Sequence, residues 1–372
     1  MEMNFIKKYA ITRMLRYASH QSDENIIRMI DIANKYFIKS EKVRWEAEKI
    51  RRIFVEHQPG AQLAKNTFSR ISKQSLDCVI QNFFINAAVI GSQRQEQLRK
   101  ELNISLPWFF VISPTARCNL TCVGCYAGNY SKQEDLSFEL VDRIFNEAKD
   151  LGIYFVTVSG GEPFMWPHLL DIMEKHHDMF FQIYTNGTLI TKDVANRLGK
   201  LGNAAPAISI EGFEKETDAR RGEGTFKRIM EAMDNLRNAG VLFGFSATPT
   251  KLNIETLMSD EFIDLMIEKG CSIGWFFQYV PIGRKPDVSL MATPEQRFRL
   301  RRRSIEIRNT KPIFIGDFWN DGPYVGGCIC GARQGGYFHI NCHGDVEPCV
   351  FLQFSVDNIK DKKLIDVIQS PF

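Results

Sequence analysis

From Trp108 onward, short apolar runs of four to seven residues alternate with longer segments whose apolar side chains recur every three or four positions. The runs at 109–113, 153–159, 180–185, 207–210, 242–248 and 273–279 read as strands, and the segments at 138–149, 169–175, 192–200, 226–239, 254–269 and 294–307 read as amphipathic helices. Ser137 is placed to cap the first of these helices, and Gly152 follows its end. Six strand–helix units in succession predict an α/β fold with a parallel sheet and right-handed crossovers.

Ahead of this region the pattern is different. Ile26, Ile27, Ile30, Ala33 and Phe37, then Trp45, Ile50 and Phe54, fall at helical steps, and few strand signals occur before Pro107. Residues 1–106 are therefore expected to be all-helical, interrupted at Pro59-Gly60. The apolar stretch 76–90 carries Asp77, Gln81, Asn82 and Asn86 along one side of a helix, the mark of an amphipathic core helix and not of a membrane span. Beyond about residue 317 the chain is rich in Gly and Cys, with helical pattern only near its end. The expected domains are a helical region 1–106, an alternating region 107–316 and a small cysteine-rich module 317–372.

Composition narrows the class. With 44% hydrophobic and 24% charged residues over 372 positions, the chain can bury a sizeable core. A net charge of +3 gives no strong field for nucleic acid. Residues 1–107 are more basic, with 18 Lys and Arg against 11 Asp and Glu; a solvated helix face accounts for this, with an acidic partner as the alternative. Lys7 and Lys8 are not followed by a long apolar run and a small-residue cleavage site, so a signal peptide is not expected. Nine cysteines in such a chain point to reduced thiols used for metal in a cytoplasmic setting.

Three of those thiols are concentrated in Arg117-Cys118-Asn119-Leu120-Thr121-Cys122-Val123-Gly124-Cys125-Tyr126. A cubane iron–sulfur cluster usually takes four cysteines, so three would hold it and leave one iron open to reaction. Zinc is the rival reading, but structural zinc closes four positions and the local loop supplies three. Cys78 and Cys271 stand in apolar contexts and read as small buried hydrophobes.

The chemistry-bearing motifs follow successive strands. The cysteine loop comes after the first, Ser159-Gly160-Gly161-Glu162-Pro163 after the second, Thr185-Asn186-Gly187-Thr188 after the third and Ser209-Ile210-Glu211-Gly212 after the fourth. Parallel strand–helix sheets gather their sites at the carboxyl ends of the strands, so these four motifs should meet at one rim.

Together, the Cys-x-x-x-Cys-x-x-Cys loop and Gly-Gly-Glu-Pro make the segment from Trp108 to Gly283 resemble the radical S-adenosylmethionine (radical SAM) enzymes. The resemblance implies a partial (βα)6 TIM-type barrel and a [4Fe-4S] cluster on Cys118, Cys122 and Cys125, with the open iron chelated by the amino and carboxylate groups of SAM. It further implies that Gly160, Gly161, Glu162 and Pro163 meet the methionine amino end, that Ser209 and Glu211 reach the ribose, that Asn186 lies alongside, and that Arg221 pairs with the SAM carboxylate. As plain structure, Arg221 reads equally as a helix-start residue and Asn186-Gly187 as a turn. Val280-Pro281-Ile282-Gly283-Arg284 resembles the family's late adenine-side loop, or an ordinary Pro-Gly turn. The residue before the third cysteine, commonly aromatic in the family, is Gly124 here, with Tyr126 as the nearest replacement.

A second cysteine group, Cys328-Ile329-Cys330 and Cys342-His343-Gly344-Asp345-Val346-Glu347-Pro348-Cys349, resembles the opening half of the SPASM or Twitch extension, whose cysteines hold an auxiliary iron–sulfur cluster. A hairpin turning at Gly344-Asp345 would bring Cys328, or Cys330 in the alternative register, to Cys349. A zinc knuckle that includes Cys342 and His343 is the other reading. The further cysteine array of a complete SPASM module does not follow, so the extension is either of the short Twitch type or continues beyond Phe372.

The resemblance implies reductive cleavage of SAM to a 5′-deoxyadenosyl radical, fed by a low-potential donor such as flavodoxin or ferredoxin. Hydrogen is then taken from a peptide or protein side chain, or from a small molecule, lipid or cofactor precursor. A non-enzymatic zinc module remains the alternative from another class. The aromatic cluster Trp275, Phe276, Phe277, Tyr279, Phe318 and Trp319 reads mainly as core, with a substrate-cavity lining as the alternative.

Overall fold

A computed structural model describes residues 22–36, 41–131, 134–332 and 335–370; Lys7, Lys8, Phe37 and Phe372 lie outside the described residues, as does the side chain of Ala33. All six expected strands form: β1 (Phe109–Ile112), β2 (Phe155–Val158), β3 (Phe180–Thr185), β4 (Ala204–Ser209), β5 (Gly244–Ala247) and β6 (Ile273–Phe276). A seventh, β7 (Phe314–Asp317), pairs parallel with β6 and spans the boundary expected at 316. Its four residues carry too little alternation to stand out from a loop.

The strands run parallel in the order β1 to β7, and helices cover their outer face. Ser137 accepts a hydrogen bond from Leu140 N, capping the helix Phe138–Asp150, and Gly152 adopts a positive φ just past its end. The expected helix at 254–269 is broken at Ser259, which caps Asp260–Lys269 by accepting from Phe262 N. Helix Glu214–Arg221 was not anticipated, because only Thr217 within it is buried and a charged run leaves no apolar stripe to read.

The cysteine-rich end continues the barrel sheet. β8 (His339–Ile340) pairs parallel with β1, β9 (Asp345–Glu347) turns back on β8, and β10 (Asp357–Asn358) completes a ten-stranded sheet with β7 and β10 at its edges. Beneath the junction, Ser113 Oγ lies 2.7 Å from His339 Nε2, and His339 Nδ1 lies 2.7 Å from Glu347. Tyr130 donates to the same carboxylate at 2.8 Å. Burial in this network accounts for the upward shift of the Tyr130 hydroxyl, with the Glu347 charge adding to it.

Among its described residues the N-terminal region is helical: α1 (Asp23–Tyr36), α2 (Glu41–Val55), α3 (Pro59–Arg70), α4 (Lys73–Cys78), a π-helical segment (Val79–Gly91) and α5 (Ser92–Leu102). Ile26 and Phe54 are buried, whereas Trp45 and Ile50 are more than half exposed. In the π segment the polar stripe faces inward. Asn82 donates to His177 O at 2.7 Å and Met179 O at 3.0 Å, and Asn86 donates to Asp178 O at 2.9 Å. These carbonyls lie in the turn before β3 and need donors once covered.

The same helices meet the turns before the next three strands. Cys78 Sγ approaches Leu201 O, Ser72 N donates to Gly240 O, and Thr67 and Arg70 both bond Ser272 Oγ. Phe83 lies edge-on to Trp108, Phe155 and Phe180, with ring centroids 5.5–5.8 Å apart. The N-terminal helices therefore floor the barrel at the amino ends of its strands.

Candidate active site

The opposite end of the barrel carries the four motifs. Gly161 N donates to Thr115 O at 2.9 Å and Glu162 N to Arg117 O at 2.8 Å, so the loop after β2 is stitched to the start of the cysteine loop. The approach leaves no room for a side chain: a Cβ on Gly161 would stand 2.2 Å from Arg117 O. Asn186 Nδ2 donates to Asn119 Oδ1 at 2.9 Å and lies 3.8 Å from Cys118 Sγ, which ties the loop after β3 to the same segment. From the far side, Arg284 N donates to Cys125 O at 2.9 Å, and Gly283 packs where only a glycine fits against that carbonyl. The Pro-Gly turn after β6 thus backs the cysteine loop.

Cys118, Cys122 and Cys125 line one cavity of about 750 Å³ together with Tyr126, Gly160, Gly161, Asn186, Ser209 and Arg221. Burial raises the Cys118 thiol above its ordinary range, and the Leu120 amide it accepts works the other way. Among the described residues, no three His, Cys, Asp or Glu side chains stand close enough to hold a single metal ion. Three soft sulfur donors on one rim nevertheless fit a cluster, in which each thiolate takes a separate iron.

Glu162, Pro163 and Glu211 do not line that cavity. The Glu162 carboxylate is fully buried and accepts from Thr185 Oγ1 at 2.7 Å, Asn186 N at 2.7 Å and Phe164 N at 3.1 Å. Burial raises its pKa, against the lowering effect of those donors. Glu211 is equally buried and accepts from Arg220, from Arg221 Nε at 2.9 Å and from Thr248 N at 3.1 Å. Where the sequence led us to expect cofactor contacts, these carboxylates organise the loops after β3 and β5, because a buried carboxylate must find donors within the protein.

Arg221 is held charged. Burial works against its guanidinium, and the Glu211 carboxylate with the nearby Cys122 outweighs that effect. Replacing Glu211 by Gln leaves two largely buried guanidiniums without a counter-charge; the expected result is a loss of about 3–5 kcal/mol of stability, read from chemical denaturation. A midpoint unchanged from the parent protein would refute it.

Gly124 has a positive φ of 64°, and a Cβ there would strike the Tyr279 ring at 2.6 Å. The aromatic side chain beside the third cysteine is therefore Tyr279, from the loop after β6. Tyr126 instead bonds Ser159 Oγ at 2.8 Å and packs on Phe351, and burial pushes its hydroxyl up to about 12. Strand alternation divides the aromatic cluster: Phe276 joins the core, while Trp275, Phe277, Tyr279 and Phe318 line the cavity.

In the C-terminal module, Cys328 and Cys330 have sulfurs 3.2 Å apart, and Tyr337 donates to Cys349 Sγ at 3.2 Å. The expected hairpin forms with Gly344 at its turn, and Gly331 N donates to Pro348 O across its base. Cys342 is not part of this group: it is buried near Ser131 O, and burial pushes its thiol up to about 11. Cys78 and Cys271 are buried thiols raised by desolvation to about 11 and about 12.

The radical SAM superfamily profile matches residues 112–266. The mycofactocin maturase MftC of Mycolicibacterium smegmatis is 30% identical over 273 residues, covering 69% of this chain and 67% of that protein. The AdoMet-dependent heme synthase of Methanosarcina barkeri is 31% identical over 176 residues, 46% of this chain and 50% of that one. Among solved structures, Streptococcus suis SuiB bound to S-adenosylmethionine superposes with a TM-score of 0.62 at 22% identity, over 76% of this chain and 70% of its own. Native anSMEcpe with bound AdoMet gives 0.57 at 18% identity, over 71% and 80%. These likenesses and the rim geometry agree: the chain belongs to the radical SAM superfamily, whose enzymes work with a [4Fe-4S] cluster and S-adenosylmethionine.

Proposed function

We propose that this chain cleaves S-adenosylmethionine reductively and uses the 5′-deoxyadenosyl radical to take a hydrogen atom from a substrate carbon. The observation that carries the reading is the convergence of three thiols and the Gly160-Gly161 turn on one cavity rim. Cys118, Cys122 and Cys125 hold the cluster. When bound and reduced, the cluster would supply the one electron that splits the SAM sulfonium into methionine and the radical.

The protein's own part is placement. Gly160 and Gly161 let backbone approach the methionine end, and Arg221 keeps a positive charge at the rim for its carboxylate. Tyr279 supplies a ring beside Gly124 for the adenine side. Depth within the barrel keeps water from the reacting carbon. The electron comes from a low-potential donor of the flavodoxin or ferredoxin kind.

Cys328, Cys330 and Cys349 serve an auxiliary iron–sulfur group. Cys349→Ala is expected to lower iron and sulfide content by about one cluster per chain while sparing part of SAM cleavage; unchanged iron content would remove the auxiliary group.

Two substrate classes have support. The maturase relative and the SuiB structure with precursor peptide SuiA favour a peptide or protein side chain. The heme synthase relative favours a small molecule. The shared chemistry is tested by anaerobic reconstitution with iron and sulfide, followed by dithionite and SAM. Methionine and 5′-deoxyadenosine are the expected products, and their absence from iron-loaded protein overturns the proposal.

A further inference from the structure

The cavity does not end at the cofactor rim. It continues down the barrel to the floor, where α3 contributes Leu63 and Ala64 and the π segment contributes Val79 and Phe83. Along β3, from Phe180 near the floor to Thr185 at the rim, the wall runs roughly 17 Å at the usual rise per residue.

The chemistry of that wall is lopsided. Arg220 and Arg221 are its only charged residues among those described, and both sit at the cysteine-loop end paired with Glu211. Below them the inward positions are mainly apolar: Phe109, Phe155, Phe180, Ala205, Trp275 and Phe277. Gln182 and Tyr184, alternate residues on the inward face of β3, interrupt it midway together with Thr157 of β2, and Ser209, Ser246 and Gln278 add polar groups nearer the rim.

A peptide strand brings one backbone donor and one acceptor per residue, and in the lower half of the tube the walls around Phe109, Phe155 and Phe180 are apolar and give it little to bond. A hydrocarbon chain brings none, and burying it against aromatic and aliphatic walls is favourable. We propose, building on the SAM-cleavage reading above, that the tube binds the aliphatic chain of an amphiphilic small molecule. The terminal methyl lies against α3 and the π segment. A carbon of the chain lies below the cofactor rim, and the polar head points toward the rim. The floor helices then act as a ruler for chain length.

The test uses reconstituted full-length protein with SAM bound and cis-parinaric acid, a long-chain fatty acid that fluoresces in apolar surroundings. Saturable binding is expected, displaced by palmitate and not by hexanoate or an end-blocked peptide. Ala205→Trp, which fills the tube midway, should weaken probe binding at least ~10-fold. Circular dichroism and iron content of that variant should match the parent, which separates a filled tube from a misfolded barrel. Ala64→Trp, which raises the floor, should shift competition from palmitate toward decanoate.

Absence of saturable binding to the parent protein, effective competition by the peptide, or unchanged affinity and chain preference in both variants would overturn the proposal. Probe binding is read without turnover. Protein that binds the probe but never cleaves SAM would sink the radical reading and leave the tube standing.

Discussion

Alanine at Cys118, at Cys122 or at Cys125 is expected to abolish formation of 5′-deoxyadenosine, with residual rates at least ~1,000-fold below the parent. The argument rests on how the loop is built. Gly128 N and Arg284 N both bind Cys125 O, and Arg220 clasps Val123 through two hydrogen bonds, so the chain between the thiols is pinned from several sides. A pinned loop has no slack to bring a substitute ligand forward, and among the described residues no Asp, Glu or His lines the cavity to replace a lost sulfur. The measurement is product formation by anaerobic protein under dithionite, alongside iron and sulfide analysis. Cleavage at the parent rate in all three variants would end the assignment.

The second large effect is expected from one methyl group. In Gly161→Ala the new Cβ would lie 2.2 Å from Arg117 O and 2.6 Å from Ala116 O. Both are backbone atoms of the cysteine loop, so relief requires that the loop after β2 move away from it. That movement breaks the bonds from Gly161 N to Thr115 O and from Glu162 N to Arg117 O. We expect a stability loss of about 1–3 kcal/mol, the usual cost of overpacking, and a fall in SAM cleavage of at least ~100-fold, the order that misplacing reacting groups produces. Gly322→Ala is the control, since nothing stands within 4 Å of its Cβ and its φ is not positive. Equal behaviour of the two variants would show that close backbone approach is not what the motif requires.

These two expectations draw on parts of the chain whose role was legible as sequence. Helix Leu169–Lys175 and strand β3 lie where periodicity puts them, because each buries one regular face. The cysteine loop and Gly160-Gly161 were recognisable because their chemistry depends on spacing within one short segment. What was not legible depends on distant partners. Glu162 and Glu211 are carboxylates in glycine-flanked loops, and only the fold shows that Thr185, Asn186 and two arginines absorb them. Tyr279 stands beside Gly124 across more than a hundred residues of chain, a pairing that no local pattern encodes.

The π segment carries the same lesson for the fold. Its asparagines make an amphipathic stripe, and the stripe turns toward the barrel because exposed turn carbonyls await it there. Phe84 stays about half exposed while the asparagines are covered, so polarity alone would have oriented this segment backwards.

β1 has β2 on one side and β8 on the other, and so has no free edge. The two sulfur-bearing loops are therefore mounted on one continuous plate. Edge-to-edge addition of a foreign strand is closed off at β1 and left to β7 and β10.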